Sequence, residues 1–259
     1  MFLRLWFWIL ILILTIFLSF AYFLLFYSEF QIQNVLISGN EKVKTFELQS
    51  IISNNINRKI IGLGAFQIFS KSIFLLNKDA LSKDILKDFP LIDRVSIKTE
   101  LPQTLTVEVS ERAPVGIYCS PEAGQISEKC FLIDGAGIIF EELKNNPENM
   151  FIVRQMGNKE AYTGENVIAQ NIIGAVSKIE KDLKDNFKID IKEALITTPI
   201  RLDIKTKENW QIYFDLSKDS DVNMQITKLN LLLKGDINAD VREKLQYIDL
   251  RFKDRAYYK

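Results

Sequence analysis

The N-terminus carries the longest apolar stretch of the chain. From Leu5 to Ser28 no residue is charged, and Arg4 and Glu29 bound the stretch on either side. A helix of this length would measure roughly 36 Å, compared with about 30 Å for the hydrocarbon core of a bilayer. Aromatic residues suited to the headgroup region lie near its two ends: Trp6, Trp8, Tyr22 and Tyr27. The pattern predicts one transmembrane helix over residues 5–28, through which the chain contacts membrane lipid.

The flanks of this helix indicate its orientation. Residues 1–4 form a short tail with one positive side chain, Arg4, and the bulk of the chain follows the helix. The simplest topology places the tail in the cytoplasm and the bulk outside, as in a single-pass type II protein of the inner (plasma) membrane. A cleavable signal peptide is the main alternative, because Ser19-Phe20-Ala21 has small residues at the spacing of a cleavage site. The apolar stretch continues past that position, which favours a retained anchor.

The next segment, residues 29–114, mixes the period of strands with that of helices. Its predicted elements follow the order strand, helix, helix, strand, strand: Phe30–Ser38, a helix from Thr45, a helix from Asn77 to Phe89, Ile92–Thr99 and Thr104–Ser110. Between the two helices, the apolar stretch 59–73 contains Gly62 and Gly64 and shows no clear period. We interpret it as a flexible connector of unassigned role.

Residues 115–259 are richer in predicted strands. Alternating or apolar runs predict strands at Val115–Cys119, Cys130–Ile133, Gly137–Phe140, Phe151–Arg154, Ile189–Thr197, Ile200–Lys205, Trp210–Asp215 and Gln246–Tyr258. Amphipathic periodicity predicts helices over Glu165–Phe187 and Asp219–Lys234. The whole pattern is of the α+β class: a transmembrane helix, a small β-α-α-β-β domain, and then a mixed β-sheet domain with helices packed on it.

The two cysteines are candidates for a disulfide. Cys119 and Cys130 flank a polar, turn-rich stretch between two strand-like runs, so a hairpin would bring them face to face near its mouth. Closing so short a loop would stabilise the fold by about 3 kcal/mol in the chain-entropy treatment. Two free buried thiols are the alternative. The paired spacing and the predicted export both favour the disulfide.

Composition narrows the classes of function. The chain has 33 basic and 33 acidic side chains, which argues against a nucleic-acid binder with a basic surface. It has no histidine, which removes the commonest general base and the usual nucleophile activation by histidine. Catalytic mechanisms based on carboxylates or lysine are still compatible with this composition, but no sequence pattern indicates one. We therefore expect no catalytic residue, no metal ligand, no cofactor, no small-molecule substrate and no nucleic acid.

Three blocks of sequence resemble one known family. They are FPLIDRVSIKTELPQTLTVEVSERAPVG at Phe89–Gly116, FLIDGAGIIFEE at Phe131–Glu142 and YIDLRFKDRAYYK at Tyr247–Lys259. In this order, behind an N-terminal anchor, they resemble the bacterial division proteins FtsQ and DivIB. The cysteine loop and the long apolar stretch at 59–73 depart from the family pattern. No cytoplasmic extension precedes the anchor, which puts any cytoplasmic contact of the family in doubt here.

The resemblance implies a domain plan and a function. Residues 1–4 would be a cytoplasmic tail, 5–28 the transmembrane helix, 29–114 a POTRA domain and 115–259 an FtsQ-type β domain. The protein would be a non-enzymatic scaffold of the division machinery, enriched at the septum, that binds FtsB/FtsL-like partners. A membrane-anchored envelope enzyme and a POTRA-type chaperone module are the alternatives.

The last predicted strand is the expected partner-binding site. If it lies at the edge of a sheet, its unpaired backbone groups accept a strand from a partner, with selectivity from the side chains. The residues assigned to this site are Tyr247, Ile248, Leu250, Arg251, Phe252, Asp254, Arg255 and Tyr257. An internal strand, paired on both sides by its own sheet, is the alternative.

Overall fold

The computed structural model describes residues 2–63, 66–122, 127–157 and 159–259. The chain divides into two compact units, residues 1–112 and 113–259, each with its own hydrophobic core. The first unit begins with helix α1 (Phe2–Phe26). Among the described residues, α1 is the one helix whose length and composition would let it cross a membrane, over Trp6–Phe26. Large apolar side chains along it are exposed, as lipid contact requires.

A small α/β domain follows α1 in the same unit. Its elements are β1 (Asn34–Ser38), α2 (Thr45–Ile56), β2 (Arg58–Leu63), β3 (Phe66–Ser70), α3 (Lys78–Asp88), β4 (Ile92–Glu100) and β5 (Thr104–Glu111). β5 is the central strand of one sheet, parallel to β1 and antiparallel to β4. Leu48 of α2 and Leu81 of α3 are fully buried against strand residues such as Leu105 and Val107. The two helices thus form the core with the sheet, and the predicted β-α-α-β-β order is confirmed apart from one insertion.

That insertion is a β-hairpin, so its interpretation as a flexible connector was wrong. β2 and β3 pair antiparallel from Arg58–Ser70 at the open end to Leu63–Phe66. A shift of register lies between Lys59 and Ile61. Such a bulge inserts one residue and reverses the alternation along the strand. The period-two pattern that marks a strand is therefore broken in the sequence, although Ile and Phe there favour strands.

The second unit is built on one large sheet. Its strands are β6 (Pro114–Pro121), β7 (Glu128–Asp134), β8 (Ile139–Leu143), β9 (Ile152–Gln155), β10 (Ile191–Thr198), β11 (Arg201–Thr206), β12 (Gln211–Asp215), β13 (Tyr247–Asp249) and β14 (Tyr257–Tyr258). Its helices are α4 (Gln170–Phe187), α5 (Val222–Lys234) and α6 (Ala239–Arg242). Among the described residues the sheet order is β14-β13-β12-β11-β10-β9-β6-β7-β8. Parallel pairs at β6–β9, β9–β10 and β12–β13 join antiparallel hairpins into a mixed sheet.

Helices α4 and α5 supply much of the core of this unit. Ile179 of α4 and Leu229 of α5 are fully buried in one cluster with Ile212 and Phe214 of β12. The strands carry such residues at alternate positions, which leaves a polar set on the opposite face of the sheet. The predicted α+β class, with an apolar N-terminal helix, a POTRA-type domain and a mixed sheet covered by helices, is confirmed.

Helix α4 begins later than predicted. The periodicity had placed its start at Glu165, whereas the helix starts at Gln170. The preceding residues are bonded to the β7–β8 turn instead: the Ile139 amide donates to the carbonyl of Glu165 (3.0 Å), and the Val167 amide to that of Gly137 (2.9 Å). Ile168 is buried there without being helical. Ile168 is therefore apolar because of a tertiary contact, and its position matches the helical period only by coincidence.

The closing segment is two short strands rather than the single predicted strand. β13 ends at Asp249, residues 250–256 form a bend, and β14 returns antiparallel to β13. β13 is therefore paired on both sides, by β12 and β14. Within the described chain, β14 is the last strand of the sheet at this end. The prediction that residues 246–258 form one continuous edge strand was wrong, and the edge belongs to the last two strand residues.

Candidate functional site: the C-terminal edge of the large sheet

The backbone of β14 defines the outer edge of the site. Tyr247 and Lys259 exchange two hydrogen bonds, with N–O distances of 3.3 and 3.2 Å, and Ile248 lies opposite Tyr258 as the next pair. Hydrogen-bonded and non-hydrogen-bonded pairs alternate in an antiparallel ladder. The N–H and C=O groups of Tyr258 are consequently directed away from β13. They form an open backbone position at the end of the sheet.

Side chains of the DLR segment produce the bend between β13 and β14. The Asp249 carboxylate accepts a hydrogen bond from the backbone N–H of Arg251 (3.1 Å) and two from its guanidinium (2.9 and 2.6 Å). This local bonding of an Asp side chain two residues on is a typical way to terminate a strand. From α5, the Lys228 ammonium donates to the carbonyl of Leu250 (3.0 Å) and to that of Phe252. The bend is therefore stabilised by hydrogen bonds within its own segment and by hydrogen bonds from α5.

A charged and aromatic ladder supports the same end of the sheet. Tyr213 of β12 lies opposite Asp203 in one direction and Asp249 in the other. Each carboxylate pairs with an arginine two residues away, Arg201 at 2.8 Å and Arg251 at 2.6 Å. Both guanidinium groups lie near the Tyr213 ring, at 5.1 and 5.5 Å from its centre. This arrangement matches cation–π geometry and fixes the polar face of three neighbouring strands.

Ionisation in this ladder follows from burial and pairing. Burial acts to raise the pKa of Asp249, but the hydrogen bonds and charge of Arg251 outweigh it, so the pKa lies below its ordinary value. Burial and the Asp203 charge together raise the pKa of Tyr213. Burial also lowers the pKa of Lys228, against the attraction of nearby carboxylates. At neutral pH, Asp249 and Arg251 are therefore a charged pair and Tyr213 is neutral.

The structure separates the eight predicted partner-binding residues into three groups by their exposure. Five are exposed on the bend and on β14: Arg251, Phe252, Asp254, Arg255 and Tyr257. Tyr247 is half-buried, and its ring stacks on that of Tyr213 with centres 5.7 Å apart. Ile248 and Leu250 are fully buried in the core of the second unit, where they are inaccessible to a partner. These two residues alternate with polar neighbours, so their side chains point into the core. They hold the segment in place and do not form part of its exposed surface.

The exposed group forms a compact surface. The Phe252 and Tyr257 rings pack edge to face with centres 5.0 Å apart, and each is 46% exposed. The Arg255 guanidinium lies 3.3 Å from the Tyr257 hydroxyl. Exposed aromatic rings beside arginine are frequent in the energetically dominant parts of protein interfaces. We call this surface, with the backbone of Tyr258, the terminal edge.

Sequence reasoning missed two contributors to the terminal edge. Tyr258 was not assigned, although its backbone is the outermost group of the ladder. Lys228 of α5 was not assigned either, although its ammonium binds backbone carbonyls of the bend. A cleft of about 290 Å³ beside it is lined by both α5 and the bend, including Met224 and Phe252. The Asp249–Arg251 spacing was the available signal, because an Asp that bonds two residues ahead predicts a turn.

The cysteines lie elsewhere in the same unit. Cys119 and Cys130 are opposite each other in the β6–β7 register and are joined by a disulfide. Within the described residues, the potential ligand atoms of Cys119, Glu128 and Cys130 lie within 4.8 Å of one another. With both sulfurs in the disulfide, only Glu128 is left as a ligand, and it forms a 2.8 Å ion pair with Arg154. This group is therefore a poor metal site.

Helix α1, the small α/β domain and the large sheet together fit one class: a single-pass membrane protein in which two folded modules follow the membrane helix. Two family models match the chain. Residues 60–112 match the FtsQ-type POTRA domain, and residues 125–251 match the C-terminal domain of cell division protein FtsQ/DivIB. Together the matches cover more than half of the chain. The chain belongs to the FtsQ/DivIB family of cell-division proteins.

Individual relatives agree with this assignment. The cell division protein DivIB of Clostridium acetobutylicum is 24% identical over 235 residues, which are 88% of this chain and 82% of the relative. The cell division protein FtsQ of Rickettsia bellii is 28% identical over 149 residues, which are 58% of this chain and 46% of the relative. FtsQ of Rickettsia prowazekii is 30% identical over 108 residues, 42% of this chain and 33% of that protein. The Rickettsia proteins are thus matched over less than half of their length.

Proposed function

We propose that this protein is a scaffold of the division machinery that works by binding other proteins, without catalysis of its own. Residues 1–4 lie in the cytoplasm, 5–28 span the inner membrane, and the POTRA domain (29–114) and β domain (115–259) lie outside, as in a type II protein. The chain accumulates at the division septum. Its partners are FtsB/FtsL-like proteins, which bind the terminal edge.

The observation that carries this proposal is the outward-directed backbone of β14. A partner strand placed beside Tyr258 would continue the sheet with main-chain hydrogen bonds. The Phe252 and Tyr257 rings would supply apolar contact next to those bonds, and Arg251, Asp254 and Arg255 would supply charge selectivity. Ile248 and Leu250 take part indirectly, because their burial holds the segment in place.

Backbone pairing predicts a specific effect of proline at position 258. Proline has no N–H, and the N–H of Tyr258 is not directed at β13, so Tyr258→Pro removes a partner bond while sparing the protein's own ladder. Tyr258→Ala is the matched control, because it removes the same side chain and keeps the N–H. We expect Tyr258→Pro to weaken retention of FtsB/FtsL-like proteins by about tenfold and Tyr258→Ala to weaken it much less. Copurification with the full-length chain from its own membranes measures both.

Side-chain contact is tested in the same assay. Phe252→Glu and Tyr257→Glu place a charge in the apolar part of the terminal edge, and Ile200→Glu places one at a position of the same unit that is 56% exposed. The first two variants should lose the partners and the third should retain them. Normal retention by all of them, together with equal behaviour of the proline and alanine variants, would remove the terminal edge from the proposal. A fluorescent fusion spread evenly around the cell would contradict the septal role.

A further inference from the structure

The connection between α1 and β1 is short and closely bonded. Its residues, 27–33, read YSEFQIQ, without glycine or proline. The Tyr27 amide donates to the carbonyl of Phe23 (2.9 Å), which continues the last turn of α1. The Gln33 side chain donates back to the carbonyl of Ser28 (3.1 Å). The connection is therefore structured from the point where it leaves the helix.

Side chains of the small domain complete the end of α1. Ser70, the last residue of β3, donates its hydroxyl to the carbonyl of Leu25 (2.6 Å). Ser72 donates in the same way to the carbonyl of Leu24 (2.8 Å). The Gln31 side-chain amide also donates to the Leu25 carbonyl (2.8 Å). The last carbonyls of a helix lack partners within it, so these side chains supply what the helix itself cannot.

The same connection is bonded to the small domain through its backbone. The Ile32 amide donates to the carbonyl of Lys71 (3.0 Å), and the Lys71 amide donates to the Gln31 side-chain oxygen (2.8 Å). The Gln33 amide donates to the carbonyl of Gln103 (3.0 Å), in the turn between β4 and β5. Separate segments of the domain therefore hold neighbouring positions of the connection.

Apolar side chains reinforce these hydrogen bonds. Ile32 and Ile73 are buried in the core of the small domain. The Phe30 ring packs against Phe23 of α1 and against Phe74, with ring centres 5.8 and 5.3 Å apart. One ring thus contacts the helix and the domain at once. Close-packed side chains transmit displacement from one element to the next, so this packing opposes rotation of the helix against the domain.

We propose that this junction is a rigid joint, so that α1 and the POTRA domain move as one body and a change in the tilt of α1 reorients the domain. A flexible chain of seven residues has an r.m.s. span of about 15 Å, which would let the domain turn freely about the helix. Hinges typically have few buried apolar contacts and an exposed backbone, whereas this junction has the opposite features. The inference goes beyond the proposed partner binding and does not depend on it.

Distances between spin labels test the joint. Cysteines are introduced in pairs into the full-length chain, and the native disulfide is left unreduced. The helix-to-domain pair is Ser19 of α1 with Phe46 of α2, and the within-domain pair is Phe46 with Leu101; all of these positions are exposed. In lipid nanodiscs without partner proteins, we expect the two distance distributions to have widths that agree within about 1.5-fold. A broader helix-to-domain distribution, up to the spread of about 15 Å that a flexible link allows, would overturn the proposal.

Substitutions at the junction test which side chains hold it. The triple variant Gln31→Ala, Ser70→Ala, Ser72→Ala removes the side-chain donors to the last turn of α1. Ser50→Ala with Ser53→Ala is the control, because those hydroxyls donate to carbonyls of their own helix, α2. We expect the triple variant to broaden the helix-to-domain distribution at least about twofold, and the control to leave it unchanged. An unchanged distribution in the triple variant would contradict the role of these hydrogen bonds.

The two label pairs distinguish loss of the joint from loss of the fold. If the within-domain pair also broadens in the triple variant, Gln31→Ala alone is measured by the same criteria, because it leaves both serines in place. A narrow helix-to-domain distribution in a chain that fails to bind FtsB/FtsL-like proteins would contradict the proposed function and support the joint. A broad distribution in a chain that binds them would do the reverse.

Discussion

At the scale of single residues, Glu111 and Arg112 show why a glutamate followed by an arginine stands at the end of β5. The Glu111 carboxylate accepts backbone hydrogen bonds from Glu41, Lys42 and Val43, each at about 2.9 Å. Arg112 donates to the carbonyl of Pro90 (2.9 Å). Two consecutive side chains at the end of β5 therefore bind the loop before α2 and the segment before β4. Neither contact is visible in the periodicity, because each joins positions distant in sequence.

Ionised Glu111 should stabilise the fold in a pH-dependent manner. Burial acts to raise the pKa of Glu111, but the three backbone N–H groups outweigh it, so the pKa is below its usual 4.5. A depressed carboxyl pKa gives stability that is present above the unfolded pKa and lost as pH falls through the folded one. We expect Glu111→Gln to cost about 1–2 kcal/mol at neutral pH, nearer the lower figure because solvent screens the site.

The measurement is thermal unfolding of the full-length chain in detergent at several pH values. The difference between Glu111→Gln and the parent should shrink as pH falls below 4.5. Glu108→Gln is the control, since Glu108 is an exposed residue of the same strand. A difference that stays constant down to about pH 3, roughly 1.5 units below the ordinary carboxyl pKa of 4.5, would contradict the assignment.

At the scale of elements, the β7–β8 turn shows how a short motif organises its surroundings. The Asp134 carboxylate accepts from the amides of Ala136 and Ile138, both at 2.9 Å. Gly137 has a φ of +84°, and its carbonyl accepts from the segment that leads to α4. A Cβ added at Gly137 would lie 1.8 Å from the carbonyl oxygen of Ile168. The glycine is thus required by both its conformation and the close approach of another segment.

Two glycines of this turn should respond differently to substitution. Gly137→Ala should destabilise the second unit by about 3 kcal/mol or more, through left-handed strain and displacement of the Ile168 backbone. Gly135→Ala should be nearly neutral, because the nearest atom to its added Cβ is 4.0 Å away. Chemical denaturation of the full-length chain measures both changes. Similar losses for the two variants would show that flexibility, rather than space and conformation, accounts for the motif.

Elements with strong local patterns were predictable, and those shaped by long-range contacts were not. α5 was predicted to end at Lys234 and does so, because Leu229 and Leu233 recur at helical spacing against the core. The β6–β7 hairpin was predicted with Cys119 and Cys130 opposite each other, and the register agrees. The start of α4 and the division of the last strand were missed. In both cases a distant segment, such as Lys228 for the bend, determines where regular structure ends.

At the scale of the whole molecule, helix α1 and the disulfide both bear on the compartment in which the second unit lies. Disulfides persist in oxidising compartments, so the Cys119–Cys130 bond agrees with the proposed location of the second unit outside the cytoplasm. The same bond closes a short loop and should contribute about 3 kcal/mol to stability in the chain-entropy treatment. The same pair of cysteines therefore bears both on the compartment of the second unit and on its free energy of unfolding.

Cysteine labelling in intact cells should reveal this topology. Unfolded without reductant, Cys119 and Cys130 should resist a membrane-impermeant maleimide reagent, and after reduction both should react. A cysteine introduced at Phe2 should react only once the membrane is permeabilised, since it lies in the proposed cytoplasmic tail. Immediate reaction of the native cysteines in a reductant-free sample would contradict the disulfide, and reaction at position 2 in sealed cells would reverse the orientation.

Local pattern was sufficient for the membrane helix, the α+β class, most elements and the family resemblance, because each depends on residue type and spacing over short windows. Three-dimensional packing was needed for the hairpin at 58–70, whose bulge hides its period. It was also needed to separate the buried Ile248 and Leu250 from the exposed Phe252 and Tyr257. Alternation along a strand distinguishes two faces, but which strand is outermost depends on how the sheet is assembled from distant segments.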